Sequence, residues 1–243
     1  MVDISSEGIG AAGYNNAWNH MESGKLYIKM DDDVVWMADD TIPRLVTTKI
    51  AHPEYLIVSA NVINSPLMGW MHYHMGATHP YLPEYSGVMN PPTPDSNELT
   101  RKSWKHTEYP AWEGPDDWTF AHDQDAPYNG HRWLRLPNAA HIHRTPITQI
   151  EYGTWGRGLT SWAIAAQEHY SFLENLLDDQ LDRYKLKRVW LADYERLSIN
   201  LMALWADEVL DNLPMDTIDE EWLTKVLPQR LGKSVAVESE VSI

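Results

Sequence analysis

The residues with the clearest chemical content are three consecutive carboxylates, Asp31-Asp32-Asp33, which follow the apolar run Leu26-Tyr-Ile-Lys-Met30 and precede Val34-Val-Trp-Met37. Adjacent anions repel one another, and a half-buried strand gains nothing from them, so the pattern points to a cation. Hard divalent ions take carboxylate oxygens, and Mg²⁺ or Mn²⁺ is typically held by one or two carboxylates together with substrate phosphates. In an extended segment Asp31 and Asp33 project to one side and Asp32 to the other. A strand ending in Asp-X-Asp therefore offers two oxygens to one metal at the edge of a sheet, where open α/β sheets bind their ligands. An acidic surface turn would read the same in isolation; the apolar residues on both flanks weigh against it.

Other groupings are less specific. Asp219-Glu220-Glu221 stands just before Trp222, and acids in the first turn of a helix also serve its dipole. Tyr152-Gly-Thr-Trp-Gly156 is an aromatic, glycine-containing turn ahead of a helix. His72-Tyr-His74 and His141-Ile-His143 put both rings on one side only in extended backbone. The first pair lies in a segment that reads as a helix, Leu67 to Ala77. With no cysteine, no His-Glu-X-X-His string and no complete ligand set, zinc chemistry is not expected, and the histidines read as loop or core hydrogen-bonders.

The elements that must position these residues read as follows. At 243 residues the chain fits one domain, 1–243. A short helix over Tyr14 to Met21 leads to a strand at Leu26 to Met30. Asp40-Thr-Ile-Pro43 opens a helix that runs to Ala51 and stops at His52-Pro53. Tyr55 to Ile63 is a continuous apolar run of the buried-strand type. Strand, helix and strand at this spacing predict an α/β unit of a mostly parallel sheet. Residues 78–160 hold most of the prolines and little periodicity, and read as a loop-rich insertion over the sheet. Residues 161–232 read as helical: Ser161 to Leu181 and Asp193 to Leu213 show apolar residues at three-and-four spacing with charges opposite, and Ile218 to Leu231 is stopped by Gly232. Residues 1–13 are expected to be disordered, and the tail from Ser234 a strand or disordered.

Composition narrows the function. A net charge of −16 argues against a sequence-independent nucleic-acid binder, which presents a basic stripe. Twelve Trp and twelve Tyr against two Phe favour rings with a polar handle, suited to clefts and rims as well as cores. No signal peptide follows Met1, and no apolar run is long enough to cross a bilayer, so no membrane partner is expected and the cytoplasm is the default compartment.

Lys29-Met-Asp-Asp-Asp33 after a strand, followed by Val-Val, resembles the Asp-X-Asp motif of the A-type glycosyltransferases, in the Lys-X-Asp-Asp-Asp form of β-1,3-galactosyltransferase-like and fringe-like members. Over nearly its whole length the chain also resembles a group of uncharacterised fungal proteins, through Asp39-Asp-Thr-Ile-Pro43, His52-Pro-Glu-Tyr55, Val58-Ser-Ala-Asn-Val62 and Ser161-Trp-Ala-Ile-Ala-Ala-Gln-Glu-His-Tyr-Ser171. The first resemblance implies a mostly parallel, Rossmann-like sheet of a partial nucleotide-sugar-binding domain with a helical C-terminal third. It implies transfer of a sugar from a nucleotide diphosphate sugar to an acceptor. Asp31 and Asp33 would hold Mn²⁺ or Mg²⁺ bridging the diphosphate, with Asp32 near ribose or sugar and Lys29 near a phosphate. Trp155 and Gly156 would lie against donor or acceptor, and one of Asp219, Glu220 and Glu221 would be the base. Only thirty residues precede the motif, and no His follows His169 to complete the metal shell. Against the family pattern the chain therefore reads as shortened at both ends. A sheet without its first strands exposes an edge, so self-association is expected. The alternative reading is a catalytically silent remnant acting as a binding or interaction module. A metal-dependent hydrolase is a distant third, having no visible nucleophile system.

Overall fold

The computed structural model describes residues 11–63, 65–84, 111–118, 120 and 133–242. Residues 1–10 and much of the expected loop-rich insertion, residues 85–110, 119 and 121–132, lie outside them. In chain order the elements are α1 (Ala11–Ala17), β1 (Leu26–Met30), α2 (Thr41–Ala51), β2 (Tyr55–Val62), α3 (Pro66–His74), β3 (Tyr81–Pro83), β4 (Trp133–Arg135), α4 (Arg157–Thr160) and α5 (Trp162–Leu177). There follow β5 (Trp190–Leu191), β6 (Leu201–Trp205), α6 (Ala206–Leu210), α7 (Asp219–Glu221), a π-helical stretch Trp222–Val226, α8 (Leu227–Leu231) and β7 (Ser234–Ser242). The chain divides into two compact units, one from Met1–Val62 with Lys185–Ile243 and the other Ile63–Tyr184.

The first unit is an α/β arrangement on a five-stranded mixed sheet of order β1-β6-β2-β7-β5. Only β2 and β7 run parallel; β1–β6, β2–β6 and β5–β7 are antiparallel. The expected mostly parallel sheet is therefore corrected. β1 and β2 do run in the same direction with α2 between them, as a strand–helix–strand unit requires, but β6 is inserted between them and reverses both pairings.

Leu201–Trp205 was expected inside a helix spanning Asp193 to Leu213. The run Leu-Met-Ala-Leu-Trp satisfies a helical and a buried-strand pattern equally well, and what decides is the chance to pair on both edges, Leu26↔Trp205 through Met30↔Leu201 on one and Ile57↔Leu204 on the other. Leu201, Met202, Ala203 and Leu204 are all buried. With Leu45 of α2, Val58, Ala60 and Val62 of β2 and Ala236 of β7, Leu201 and Ala203 form the core of this unit. Val34 to Met37, read as a resumed strand, is irregular apart from a single bridge at Met37. The helical run that begins with α7 stops where the sequence indicates: Gly232 takes φ 63°, a left-handed cap that glycine adopts without a Cβ clash.

In the second unit the β3–β4 ribbon and α5 close on an aromatic core of Tyr81, Trp112, Phe120 and Trp133 with Leu82, Leu134, Leu136 and Ala163, while α3 meets α5 through Trp70 and Tyr73 against Ile147, Ile150 and Ile164. Trp133 and Trp162 meet edge-on at 5.9 Å between ring centroids, and the Arg144 guanidinium lies 5.3 Å over Trp112. Much of the tryptophan content within the described residues is thus structural. The expectation for α5 is half met. It is a sixteen-residue helix started by Ser161, whose hydroxyl accepts from Ile164 N. Its buried face, however, carries Gln167, Glu168, Ser171, Glu174 and Asn175, so polar and charged positions expected to face solvent are inside. None of the helices among the described residues is long and apolar enough to cross a membrane.

Candidate functional site

β1 delivers Lys29 and Asp31 to one end of the first unit's sheet. Asp31 N donates to Asn200 O at 2.7 Å, extending the β1–β6 ladder by one residue. Lys29 Nζ bonds Asp31 Oδ1 and donates to Ile199 O at 2.6 Å, so the lysine is anchored on both sides. The chain then turns, with Val34 N directed to Asp31 O at 3.4 Å. Asp32 and Asp33 lie in that turn and are exposed. β1 has ended at Met30, so the strand alternation that would align Asp31 with Asp33 does not operate here. Beside Asp31, the side-chain Oδ1 of Asn200 is buried and accepts no hydrogen bond.

The second acidic triplet comes to the same end. Its three members differ in what they touch. Asp219 accepts from Trp18 Nε1 at 3.3 Å and from Glu220 N at 2.9 Å, while Glu221 accepts from the Thr217 hydroxyl at 3.3 Å. Glu220 Oε1 pairs with Arg196 Nη2 at 2.9 Å. Its pKa is raised above the ordinary carboxylate value, first by burial; Arg196 and Lys29 oppose that shift, and Asp219 and Asp31 add to it. Asp31 and Glu220 are thus electrostatic neighbours although 189 positions separate them. Arg196 was missed by sequence reasoning because it sits in the stretch read as a continuous helix. Irregular backbone before β6 is what carries it to Glu220.

The donor set sets what cation could be accommodated. Among the described residues no group of three or more His, Cys, Asp or Glu side chains could hold a metal ion. One oxygen of Asp31 is already taken by Lys29. Asp31 Oδ2 and the oxygens of the exposed Asp33 are carboxylate oxygens of this turn not engaged by Lys29.

Trp155 and Gly156 belong to the second unit. Trp155 is exposed on the turn before α4, and Thr154 beside it is buried. A Cβ on Gly156 would lie 2.7 Å from Glu151 Oε2, so the glycine lets the turn close on the Glu151 side chain. His74 is exposed and bonds Trp70 O at 2.8 Å, and His143 bonds Ala140 O at 2.8 Å, as expected of loop hydrogen-bonders; His72 is buried, and His141 Nδ1 makes no hydrogen bond. Compared with protein-family models, with curated proteins and with solved structures, the chain matches none.

Proposed function

We propose that the Asp31–Glu220 end of the first unit is a metal-assisted glycosyl-transfer centre that uses a nucleotide diphosphate sugar. The observation that carries the reading is Glu220, a partly buried carboxylate whose proton affinity is raised and which neighbours the Asp31 turn. A base must take the acceptor's proton as the new bond forms, and a carboxylate shifted toward the working pH does so more effectively than an ordinary one. Arg196 holds Glu220 Oε1, which leaves Oε2 to receive that proton. As the acceptor oxygen bonds to the anomeric carbon, the bond from that carbon to the diphosphate breaks and its electron pair leaves with the nucleotide. Asp31 Oδ2 and Asp33 would hold the cation, whose contribution when bound is to neutralise charge growing on the leaving diphosphate. Lys29 sets the position of Asp31 through its second anchor, Ile199 O.

A second reading rests on the same contacts. Lys29–Asp31 and Arg196–Glu220 are internally paired charges, as a silent binding module would also have. Thermal unfolding with Mn²⁺ alone, and with a panel of nucleotide diphosphates and their sugars, separates the two. The transfer reading expects a rise in midpoint that needs both the metal and one nucleotide and is lost in the Asp31→Ala, Asp33→Ala double variant. It also expects Glu220→Gln to keep that rise and lose transfer. A folded wild-type protein with no metal-dependent shift would leave the silent module as the reading.

A further inference from the structure

β1 lies at one side of the five-stranded sheet, with β6 as its neighbour. Its register with β6 fixes which backbone groups are left over. Asp31 N donates to Asn200 O at 2.7 Å and Lys25 O accepts from Ala206 N at 2.9 Å, and both contacts continue the β1–β6 register. Antiparallel pairing alternates, so Lys25, Tyr27, Lys29 and Asp31 turn their backbone groups toward β6, and Leu26, Ile28 and Met30 turn theirs away. Among the described residues no backbone group pairs with those outward N–H and C=O groups. Edge strands are blunted by shortness, proline, bulges or projecting lysines. β5, at the other side of the sheet, is two residues long. β1 has five residues, no proline and an unbroken register. Its lysine does not project outward, because Lys29 Nζ is tied to Asp31 Oδ1 and Ile199 O. Leu26 and Ile28 are half-buried and Met30 is 52% exposed.

We propose that the open edge of β1 docks a second copy of this chain, β1 pairing antiparallel with the partner's β1 about a two-fold axis at Ile28. The occupant follows from the order of residues along the strand. With Ile28 opposite the partner's Ile28, Leu26 lies opposite the partner's Met30, and the outward groups of the whole strand are matched, each pair exchanging an N–H and a C=O. Leu26 and Ile28 pack on the α2 side of the sheet, so Met30 shares that side and the three residues of each copy form one apolar stripe. On the other side Tyr27 faces the partner's Lys29, and Lys25 faces the partner's Asp31. Lys25 is 56% exposed, with Glu22 as its ion-pair partner at 2.5 Å; Asp31 is 35% exposed and gives Lys29 one oxygen, Oδ1. No like charges stand opposite one another. Sliding the pairing by two residues sets Lys25 against the partner's Lys29 in one direction and Lys29 against the partner's Lys29 in the other, so charge selects the register. Repulsion between two chains of net charge −16 is screened beyond about 8 Å at about 0.15 M salt, a range longer than the cross-strand contacts. The dimer does not rest on the transfer reading.

The test is sedimentation velocity of the full chain at about 0.15 M salt, without divalent metal, because a cation on Asp31 would compete with the partner's Lys25. The wild type is expected to pass from one chain mass to two as its concentration rises to about 0.1 mM, the range of small, transient interfaces. Lys25→Asp and Asp31→Lys each set like charges across the axis, and each should weaken self-association at least tenfold. Mixed in equal amounts, the two variants set opposite charges across it again, and a heterodimer should form with the strength of the wild type. Met30→Pro removes an outward N–H that takes no part in pairing with β6, and should also weaken the dimer at least tenfold, which keeps a test in hand if Asp31→Lys fails to fold. The readout is mass alone, so a failed transfer assay leaves it untouched. A folded wild-type protein that stays at one chain mass would overturn the proposal. Dimers undiminished in folded Lys25→Asp and Met30→Pro would place the interface elsewhere and overturn it too, as would a mixture of folded charge variants that associates no better than either alone.

Discussion

Replacing Glu168 by Gln should change how stability depends on pH, with a sign fixed by the packing of α5 against α3. The Glu168 side chain is 5% exposed and its Oε1 makes no hydrogen bond. It lies so close to α3 that a Cβ on Gly69 would be 2.0 Å from Oε1. Burial therefore keeps the carboxyl protonated, with a pKa well above the ordinary 4.5. In the same unit burial pushes the His72 pKa down from 6.5 to about 3. The two groups act in opposite senses. Above pH 4.5 the unfolded chain loses the Glu168 proton and the folded protein keeps it, so stability falls with rising pH by about 1.4 kcal/mol per unit while the folded form holds that proton. Below pH 6.5 unfolded His72 gains a proton that the folded protein refuses, so stability falls with falling pH at about the same slope until the folded pKa is approached.

From these two groups alone the wild type is nearly flat between pH 4.5 and 6.5 and declines above that range. Glu168→Gln removes the first slope, so the variant rises up to pH 6.5 and then levels. Urea unfolding followed by tryptophan fluorescence at half-unit steps from pH 4 to pH 8 gives both curves. Subtraction cancels every other titrating group, and the wild-type-minus-variant difference should fall by about 1.4 kcal/mol per pH unit above pH 4.5. Parallel curves would mean that Glu168 is ionised in the folded protein, and the account of α5 would be wrong.

Two further outcomes follow from buried contacts. Gly69→Ala should destabilise by roughly 2 kcal/mol or more, although alanine favours a helix by about 1 kcal/mol, because its Cβ meets Glu168 Oε1. Adding Glu168→Ala should recover most of that loss, and additive denaturation energies in the double-mutant cycle would refute the contact. Lys49 is fully buried, donates to Tyr55 O and pairs with Glu208 Oε2 at 2.7 Å. Lys49→Met should cost about 1–3 kcal/mol in urea unfolding, below the value for a stranded buried charge, because Lys233 still holds Glu208 Oε1 at 2.7 Å. A more stable variant would contradict this.

Legibility in the sequence followed how local the deciding interaction is. β1, α2 and β2 begin and end within a residue or so of expectation, because apolar runs, Pro43 and His52-Pro53 act over a few positions. Sheet direction is set by partners far apart in sequence. Nothing near Leu201–Trp205 announces that β1 and β2 will flank it, so the mixed sheet and the strand identity of β6 were missed together. Of the candidate site, Asp31 and the triplet Asp219 to Glu221 could be read as acids with work to do. Which member of the triplet would approach Asp31 could not, because Trp18, Thr217 and Arg196 make that selection through contacts at long range or across irregular backbone.

The polar interior of α5 shows how duty can be separated from availability among buried groups. The irregular backbone around residues 77–79 and 145–147 has amides and carbonyls that no sheet or helix satisfies, and a buried backbone group must find a partner. Gln167 donates to His79 O at 2.9 Å and accepts from Ile147 N at 2.9 Å; Ser171 Oγ accepts from His79 N at 2.9 Å; Asn175 donates to Ala77 O at 2.8 Å. Three of the five polar residues are thereby accounted for as scaffolding, which also explains why a helix with an amphipathic pattern turns hydrogen-bonding groups inward. Glu168 and Glu174 bind no backbone group in this way; Glu174 is instead held by Tyr81 OH and Arg135. Scaffolding alone would favour an apolar side chain at Glu168, since a buried ionisable group without partners destabilises the fold. Glu168 is accommodated by keeping its proton, and Glu174 by the Tyr81 hydroxyl on one oxygen and the Arg135 guanidinium on the other.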